Sequence, residues 1–239
     1  MVKSSLYYTG VNKTYNYNFT VDIRSCHPLY LSYFILSSYY NTTSLFTTLE
    51  GVNVTPQHSE DGILYHRIEH KHLINEHKKW ISYWSDEVDD MRTVLGEGLN
   101  LDKDKDKAKT KAKDLINKAV NDKNGCNYNI LTNWIEMEFP LLYNIWSKTD
   151  ISTTGCNISK LIESQIIRSD ELYTFIETID DVVVADEHDG LGVFSLNDDS
   201  EINSKLDRIR KKIQQISVDK FRIRPMVKVE NVHTEESLN

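Results

Sequence analysis

Cysteine, proline and long apolar runs are scarce in this sequence, and each scarcity excludes a class of protein. Only three cysteines occur among 239 residues, Cys26, Cys126 and Cys156, and such a sparse, odd set is not the disulfide framework of a small secreted domain. Four prolines and nine glycines argue against long flexible linkers. No apolar run approaches the roughly 20 residues that a membrane-spanning helix needs, so we expect no membrane span.

The N-terminus also lacks the apolar core of a secretory signal, because Met1-Val2-Lys3-Ser4-Ser5 leads directly into polar sequence. Together with the cysteine usage, this predicts a cytoplasmic protein. An excess of basic residues is lacking too, since 28 Lys and Arg stand against 36 Asp and Glu, a formal charge of −8. Affinity for phosphates rests on a basic surface, so we expect no nucleic-acid partner.

Common catalytic motifs are missing as well. The sequence contains no P-loop, no dinucleotide-binding glycine pattern, no Gly-x-Ser-x-Gly elbow and no Cys-x-x-Cys pair. Each of these motifs has a fixed spacing because its backbone or side chains must meet one substrate group. The absence of these motifs favours a non-enzymatic protein that has no cofactor. We expect such a protein to work by associating with itself or with another protein.

What the N-terminal part does contain is aromatic and β-branched residues in strand-like patterns. Residues 14–23 alternate such residues with polar ones, which is the period of a half-buried strand. Residues 29–36, 44–54 and 63–68 are rich in Tyr, Phe, Ile, Val and Thr, and turn-forming residues separate them. We predict these segments as three further strands.

The apolar period then changes to three and four residues. It predicts a long helix from Leu73 to Leu95 with Gly96 as its stop, and a solvated helix that begins in the Lys/Asp run 102–114. A helix from Ile130 should break at Pro140. Further helical spacing covers 158–180, where Ser169 can cap a second helix, and 202–216.

Two strand signals follow near the C-terminus. Apolar residues flank His188-Asp189-Gly190 within 182–196, a pattern typical of a hairpin. Phe221 to Val229 alternates like a strand, and Pro225 predicts that it lies at a sheet edge. The hairpin and the final strand are expected to return to one sheet.

The fold class predicted from these patterns is α+β. A strand-rich N-terminal part of about four strands is followed by a largely helical middle and C-terminal part, with the late hairpin and a final edge strand. We expect one domain over residues 1–239. The charged run is the one candidate boundary, and it would divide the chain into 1–98, which includes the first long helix, and 99–239.

A cluster of histidines offers the sharpest chemical hypothesis. His66-Arg67-Ile68-Glu69-His70 matches His-x-x-Glu-His, which on a helix places both imidazoles on one face for zinc and the Glu as general base. His66, His70 and His72 are then candidate metal ligands, and Glu69 is the candidate catalytic residue of a small hydrolase. The alternative is a polar face that happens to contain histidine, and our strand prediction for 63–68 favours that alternative.

Two other sets of residues can be explained either by a structural role or by a functional one. The tryptophans Trp80, Trp84, Trp134 and Trp146 stand at helical spacing, which favours a place in the core over a ligand pocket. The acidic residues of 186–190 fit the demands of a hairpin turn better than those of a cation site.

The segment Tyr7-Tyr8-Thr9-Gly10-Val11-Asn12-Lys13-Thr14-Tyr15-Asn16-Tyr17 is similar to the Tyr-rich start of insect-virus polyhedrins. The resemblance covers about a dozen residues. It implies a viral structural protein that assembles with its own copies into occlusion-body or capsid-like particles, with Tyr7, Tyr8, Tyr15 and Tyr17 as interaction residues. The remaining alternative is a viral modulator that binds a host protein.

Overall fold

The computed structural model describes residues 7–10, 13–39, 63–85, 91–121, 129–147, 158, 160, 162–187, 190–196 and 200–231. For residues 7–10, 13–18, 38–39, 63–70, 121, 129, 163 and 196 it describes only the backbone. The chain divides into two compact units, one within 1–24, 159–220 and 224–239, the other within 25–158 and 221–223. The single domain that the sequence led us to expect stays a prediction.

The first unit contains an antiparallel sheet. Its strands are β1 Tyr7–Gly10, β2 Lys13–Ile23, β3 Val182–Asp186, β4 Gly190–Leu196 and β5 Val227–Asn231. The strand order is β1-β2-β4-β3, and β5 also pairs with β2. Because β1 pairs with residues 13–16 of β2 and β5 with residues 19–23, the two short strands share one side of β2. Strand β4 occupies the other side.

The long strand β2 is not a single uninterrupted ladder. Its register against β4 shifts between Tyr17 and Phe19, so the alternation that we predicted across the whole segment is broken there. Further along, Gly190 is the register partner of Asp22. A Cβ at Gly190 would collide with the carbonyl oxygen of Val21, which is why this register needs glycine.

The described α-helices are α1 Cys26–Tyr39, α2 Ile63–Trp84, α3 Met91–Gly98, α4 Lys105–Asn121, α5 Asn129–Glu138, α6 Pro140–Trp146, α7 Asp170–Ile176 and α8 Ile202–Phe221. A short π-helix covers Glu163–Ile167. None of the helices within the described ranges combines the length and apolarity required to cross a bilayer.

Two of the predicted N-terminal strands are wrong. Residues 29–36 lie in α1, and residues 63–68 form the first part of α2. Helix α1 is buried on nearly all sides, with Leu29, Tyr30 and Leu31 at most 1% exposed. A continuous apolar run carries no period that separates a buried helix from a buried strand. The predicted strand over 44–54 lies outside the described residues.

The boundaries of two later predictions are also wrong. The stripe from Leu73 to Leu95 belongs to two helices, α2 and α3, and Gly96 lies inside α3 as a buried residue. A Cβ at Gly96 would stand 2.7 Å from the carbonyl carbon of Ala108 in α4, so this glycine serves close helix packing. Phe221 ends α8, and the last strand begins only at Val227.

Other predictions are confirmed. Residues 14–23 lie in β2, and the hairpin strands are β3 and β4, which pair antiparallel. The break at Pro140 separates α5 from α6. The Ser169 hydroxyl oxygen accepts a hydrogen bond of 3.2 Å from the Leu172 N–H and so caps α7. Local capping and proline chemistry set these boundaries, which is why the sequence alone predicts them.

Candidate interaction surface

The histidine motif lies on a helix rather than at the end of a strand. Positions 66 and 70 are one turn apart in α2, the spacing that His-x-x-Glu-His requires. The side chains of His66, Glu69 and His70 lie outside the described part, and His72 is exposed. Among the side chains that are described, no group of three or more His, Cys, Asp or Glu is placed to hold a metal ion.

The next histidine of α2, His77, belongs to the core. It is 2% exposed, and its Nδ1 shares a hydrogen bond of 2.9 Å with the hydroxyl of Ser32, which is fully buried in α1. Burial, with a smaller contribution from the charge of Lys78, lowers the pKa of His77 to about 4. This imidazole is therefore neutral at physiological pH and packs α2 against α1.

The four tryptophans come together in the second unit. Trp80, Trp84 and Trp146 are buried, as predicted, and Trp134 is half-buried. All four line one cavity of about 10 Å³, which is about the space of a single water molecule. The cluster is therefore packed core rather than a pocket for an organic ligand.

The indole nitrogens of this cluster differ in their partners. Trp80 Nε1 donates a hydrogen bond of 2.6 Å to the carbonyl oxygen of Pro28 in α1. Among the described residues, the buried indole N–H groups of Trp84 and Trp146 meet no acceptor. Trp80 thus fixes α2 to α1 by a directed contact, whereas the other two contribute apolar area and carry a desolvation cost.

A polar cluster anchors the corner between α5 and α6 to α2. The Glu76 carboxylate accepts hydrogen bonds from the backbone N–H groups of Leu141 and Leu142, at 3.0 and 2.9 Å. It therefore supplies the negative charge and acceptors that the N-terminus of α6 needs. Lys79 pairs with Glu138 at 2.7 Å and lies 5.0 Å from the ring centre of Phe139. Helix α5 is held in a defined orientation by this cluster.

Held in that orientation, α5 presents apolar side chains to solvent. Met137 is 80% exposed and Ile130 is 54% exposed, and the half-buried Trp134 lies between them. Spacings of four and seven residues place these three side chains on one face of a helix. We call Ile130, Trp134 and Met137 the apolar stripe.

The stripe stands out among the described side chains. The large apolar residues that are exposed there are Ile130, Met137 and Val94, and Val94 lies on α3. The adjoining face of α5 carries Leu131 and Ile135, which are 2% and 3% exposed. Helix α5 is thus apolar on two adjoining faces. Its sequence alone does not predict which of the two faces is exposed to solvent. Clustered exposed apolar residues mark contact surfaces more often than single ones do.

The predicted interaction tyrosines lie in the first two strands. Tyr8 pairs with Tyr15 and Tyr7 with Asn16 between β1 and β2, and Tyr17 pairs with Phe194 of β4. Their side chains lie outside the described part, so their role in interaction stays a prediction.

The acidic hairpin residue Asp186 has a structural role, because it contacts residues outside its own strand. Within the first unit, the Tyr173 hydroxyl donates a hydrogen bond to Asp186, and Arg168 Nε lies 3.4 Å from the same carboxylate. Desolvation, followed by the hydrogen bond to Asp186, raises the pKa of Tyr173 to about 12. The carboxylate thus links the π-helix end and α7 to β3. His188 and Asp189 of the predicted turn lie outside the described residues.

No protein-family model, no curated protein and no solved structure matches this chain. Its function is therefore argued from its residues and their geometry.

Proposed function

We propose that this chain is a non-enzymatic structural protein that associates with copies of itself through the apolar stripe on α5. The observation that carries the proposal is the exposure of Met137 and Ile130, 80% and 54%, on the same face as Trp134. Methionine adapts its shape to a partner surface, and tryptophan contributes large contact area. Exposing such residues together is unfavourable unless they are covered in an assembly.

The order of residues along α5 suits a second copy packed antiparallel across a two-fold axis. In that arrangement Ile130 of each copy lies opposite Met137 of the other, and Trp134 lies near the axis. Isologous contacts of the antiparallel kind are the commonest in homo-oligomers.

The size of the stripe determines how strong this contact is. Helix α5 has 10 residues and is about 15 Å long, so two copies cover far less than the roughly 800 Å² per partner of a stable interface. We therefore expect weak association that depends on concentration. Weak contacts of this kind, repeated many times, fit the occlusion-body or capsid-like assembly of a viral protein, to which the Tyr-rich strands would add further contacts.

Sedimentation velocity over a wide range of protein concentration tests the proposal. We expect wild-type self-association with a Kd of roughly 0.01–1 mM, and a loss of at least about tenfold in Ile130→Lys/Met137→Lys. Val94→Lys is the matched control, because Val94 is also an exposed apolar residue, at 46%, but lies outside the stripe. A wild type that stays monomeric throughout, or an equal loss in Val94→Lys, contradicts the proposal. Monomeric behaviour would favour a modulator that binds a host protein.

A second candidate function is the small metal-dependent hydrolase. It is favoured by one observation, the helical backbone that places residues 66 and 70 one turn apart. Elemental analysis of the purified protein tests it. One zinc per chain, lost in His66→Ala and in His70→Ala but kept in Trp134→Ala, would support the site, and a metal-free wild type after zinc loading would exclude it.

A further inference from the structure

Met137 is the member of the apolar stripe that an oxidant can most readily change. It is 80% exposed, more than Ile130 or Trp134, and its thioether sulfur is the most easily oxidised atom of the three side chains. Oxidation converts this apolar, flexible side chain into a polar, chiral sulfoxide, a change that disrupts contacts built on methionine. The chemical state of one sulfur therefore decides whether the whole stripe is apolar.

The other described methionines are protected in two different ways. Met91 in α3 is 5% exposed, so a peroxide molecule reaches its sulfur only when the structure opens locally. Met226 is half-buried, and its Sδ accepts a hydrogen bond of 3.2 Å from Nη1 of Arg24. An N–H group that binds a sulfur lone pair makes that pair less available to an oxidant. We therefore expect Met137 to react before Met91 and Met226.

Hydrogen peroxide is a sufficient oxidant for this change. A lone pair of the thioether sulfur attacks one peroxide oxygen, so that an S–O bond forms and the O–O bond breaks. The proton on the transferred oxygen passes to the departing hydroxide, and the products are one sulfoxide and one water. The sulfur is oxidised by two electrons, and the peroxide is reduced by the same two.

A sulfoxide in the stripe is poorly suited to the contact between two copies. In the antiparallel arrangement, Met137 of one copy lies opposite Ile130 of the other, and isoleucine has no donor for a sulfoxide oxygen. Burying a polar group without a hydrogen-bond partner is unfavourable. Because the contact is isologous, each dimer of oxidised chains buries two sulfoxides and incurs this cost twice.

We propose that Met137 is a redox modification site, where oxidation by peroxide releases the chains from self-association and reduction restores it. The inference rests on the proposed function, because it needs the apolar stripe as the contact between copies. In the reduction step two thiols become a disulfide, and the sulfoxide oxygen leaves as water. The chains thus assemble under reducing conditions and separate under oxidising ones.

Sedimentation velocity of the full-length protein before and after graded peroxide treatment tests the proposal, with peptide mass spectrometry to locate the added oxygen. We expect Met137 to oxidise at least about tenfold faster than Met91. The Kd for self-association should rise at least about fivefold when Met137 is fully oxidised, and in proportion to the oxidised fraction before that. Dithiothreitol with the two methionine sulfoxide reductases, one for each epimer, should reverse the rise.

Two variants serve as controls. Met137→Leu keeps the three cysteines of the chain, so it accounts for their oxidation, and peroxide should leave its Kd at that variant's own starting value. Met226→Leu should respond to peroxide as the wild type does. The proposal is wrong if the Kd rises equally in Met137→Leu, if the rise follows oxidation of another residue, or if the wild-type Kd is unchanged after complete oxidation of Met137. A wild type that is monomeric before treatment would instead contradict self-association itself, and this inference with it.

Discussion

The imidazole Nδ1 of His77 lies 2.9 Å from the hydroxyl oxygen of Ser32, and both side chains are buried where α2 packs against α1. A neutral imidazole satisfies this hydrogen bond in the core, whereas a protonated one would place an uncompensated charge there. The folded state therefore resists protonation of His77, whose pKa is lowered to about 4.

This relationship predicts a loss of stability in mild acid. Between pH 6.5, the ordinary value, and about 4, the unfolded chain binds a proton at His77 that the folded chain does not. The stability from the neutral imidazole is thus fully present above pH 6.5 and is lost as pH falls, by at most about 1.4 kcal/mol per pH unit. Urea unfolding at pH 7 and pH 4.5 measures this loss of stability.

The variant His77→Asn isolates this effect, because asparagine does not titrate. Its free energy of unfolding should fall less between the two pH values than that of the wild type. His72→Asn replaces an exposed histidine of the same helix and should retain the wild-type pH dependence. If His77→Asn loses as much stability as the wild type does on acidification, carboxylates elsewhere are responsible.

The tryptophans give a prediction about hydrogen bonding in which two substitutions change the side-chain volume by the same amount. Trp80→Phe and Trp84→Phe remove the same atoms from the same cluster, but only Trp80 donates to a described acceptor, the Pro28 carbonyl oxygen at 2.6 Å. Trp80→Phe loses that hydrogen bond, whereas Trp84→Phe loses an N–H without a described acceptor, so Trp80→Phe should cost about 1–2 kcal/mol more. Urea unfolding at pH 7 gives both values.

Trp146→Phe serves as a second reference, because its indole N–H also meets no acceptor among the described residues. It should resemble Trp84→Phe rather than Trp80→Phe. Equal costs at positions 80 and 84 would mean that packing alone holds the cluster together.

Local chemistry explains which parts of the fold the sequence predicts. Ser169 caps α7 and Pro140 separates α5 from α6 through contacts with neighbouring residues, so their effects are visible in a short window. The alternation that predicts β2 is also visible in a short window, but the shift in register between Tyr17 and Phe19 is not. Helix α1 was predicted as a strand because an apolar run without a period fits either buried element, and only tertiary packing decides between them.

The apolar stripe shows what the sequence alone does not predict. The spacing of Ile130, Trp134 and Met137 is visible in the sequence, but Leu131 and Ile135 offer an adjoining apolar face of the same helix. Which face is buried depends on α2, since Glu76 caps α6 and Lys79 pairs with Glu138. These contacts join residues about 60 positions apart, and no local pattern reveals them.

Gly96 gives a prediction about helix packing. Its missing side chain lets α4 approach, because a Cβ there would lie 2.7 Å from the Ala108 carbonyl carbon and 2.8 Å from its oxygen. Backbone atoms cannot move aside as a flexible side chain can, so Gly96→Ala should cost about 1–3 kcal/mol. Gly98 lies in the same helix with no atom within 4 Å of its Cβ position, and Gly98→Ala should be neutral or stabilise by about 0.5–1 kcal/mol. Thermal unfolding of the two variants compares them, and equal behaviour would show that α3 and α4 are not held this closely.

The hydrogen bond between Tyr173 and Asp186 affects the pH at which Tyr173 ionises. Desolvation and the hydrogen bond to Asp186 raise the pKa of Tyr173 to about 12, so this tyrosine should ionise after phenols with the ordinary value near 10. Between those values the unfolded chain has lost the phenolic proton and the folded chain has kept it. The contribution of Tyr173 to stability is therefore complete below pH 10 and is lost as pH rises towards 12.

Ultraviolet titration of the phenolate band measures this shift. Tyr173→Phe should remove one late-titrating tyrosine from the curve, and Asp186→Asn should move that tyrosine to lower pH because the carboxylate no longer repels the phenolate. Tyr143→Phe, at a half-buried tyrosine in the other unit, should leave the late step in place. A late step that survives in Tyr173→Phe would assign it to another tyrosine.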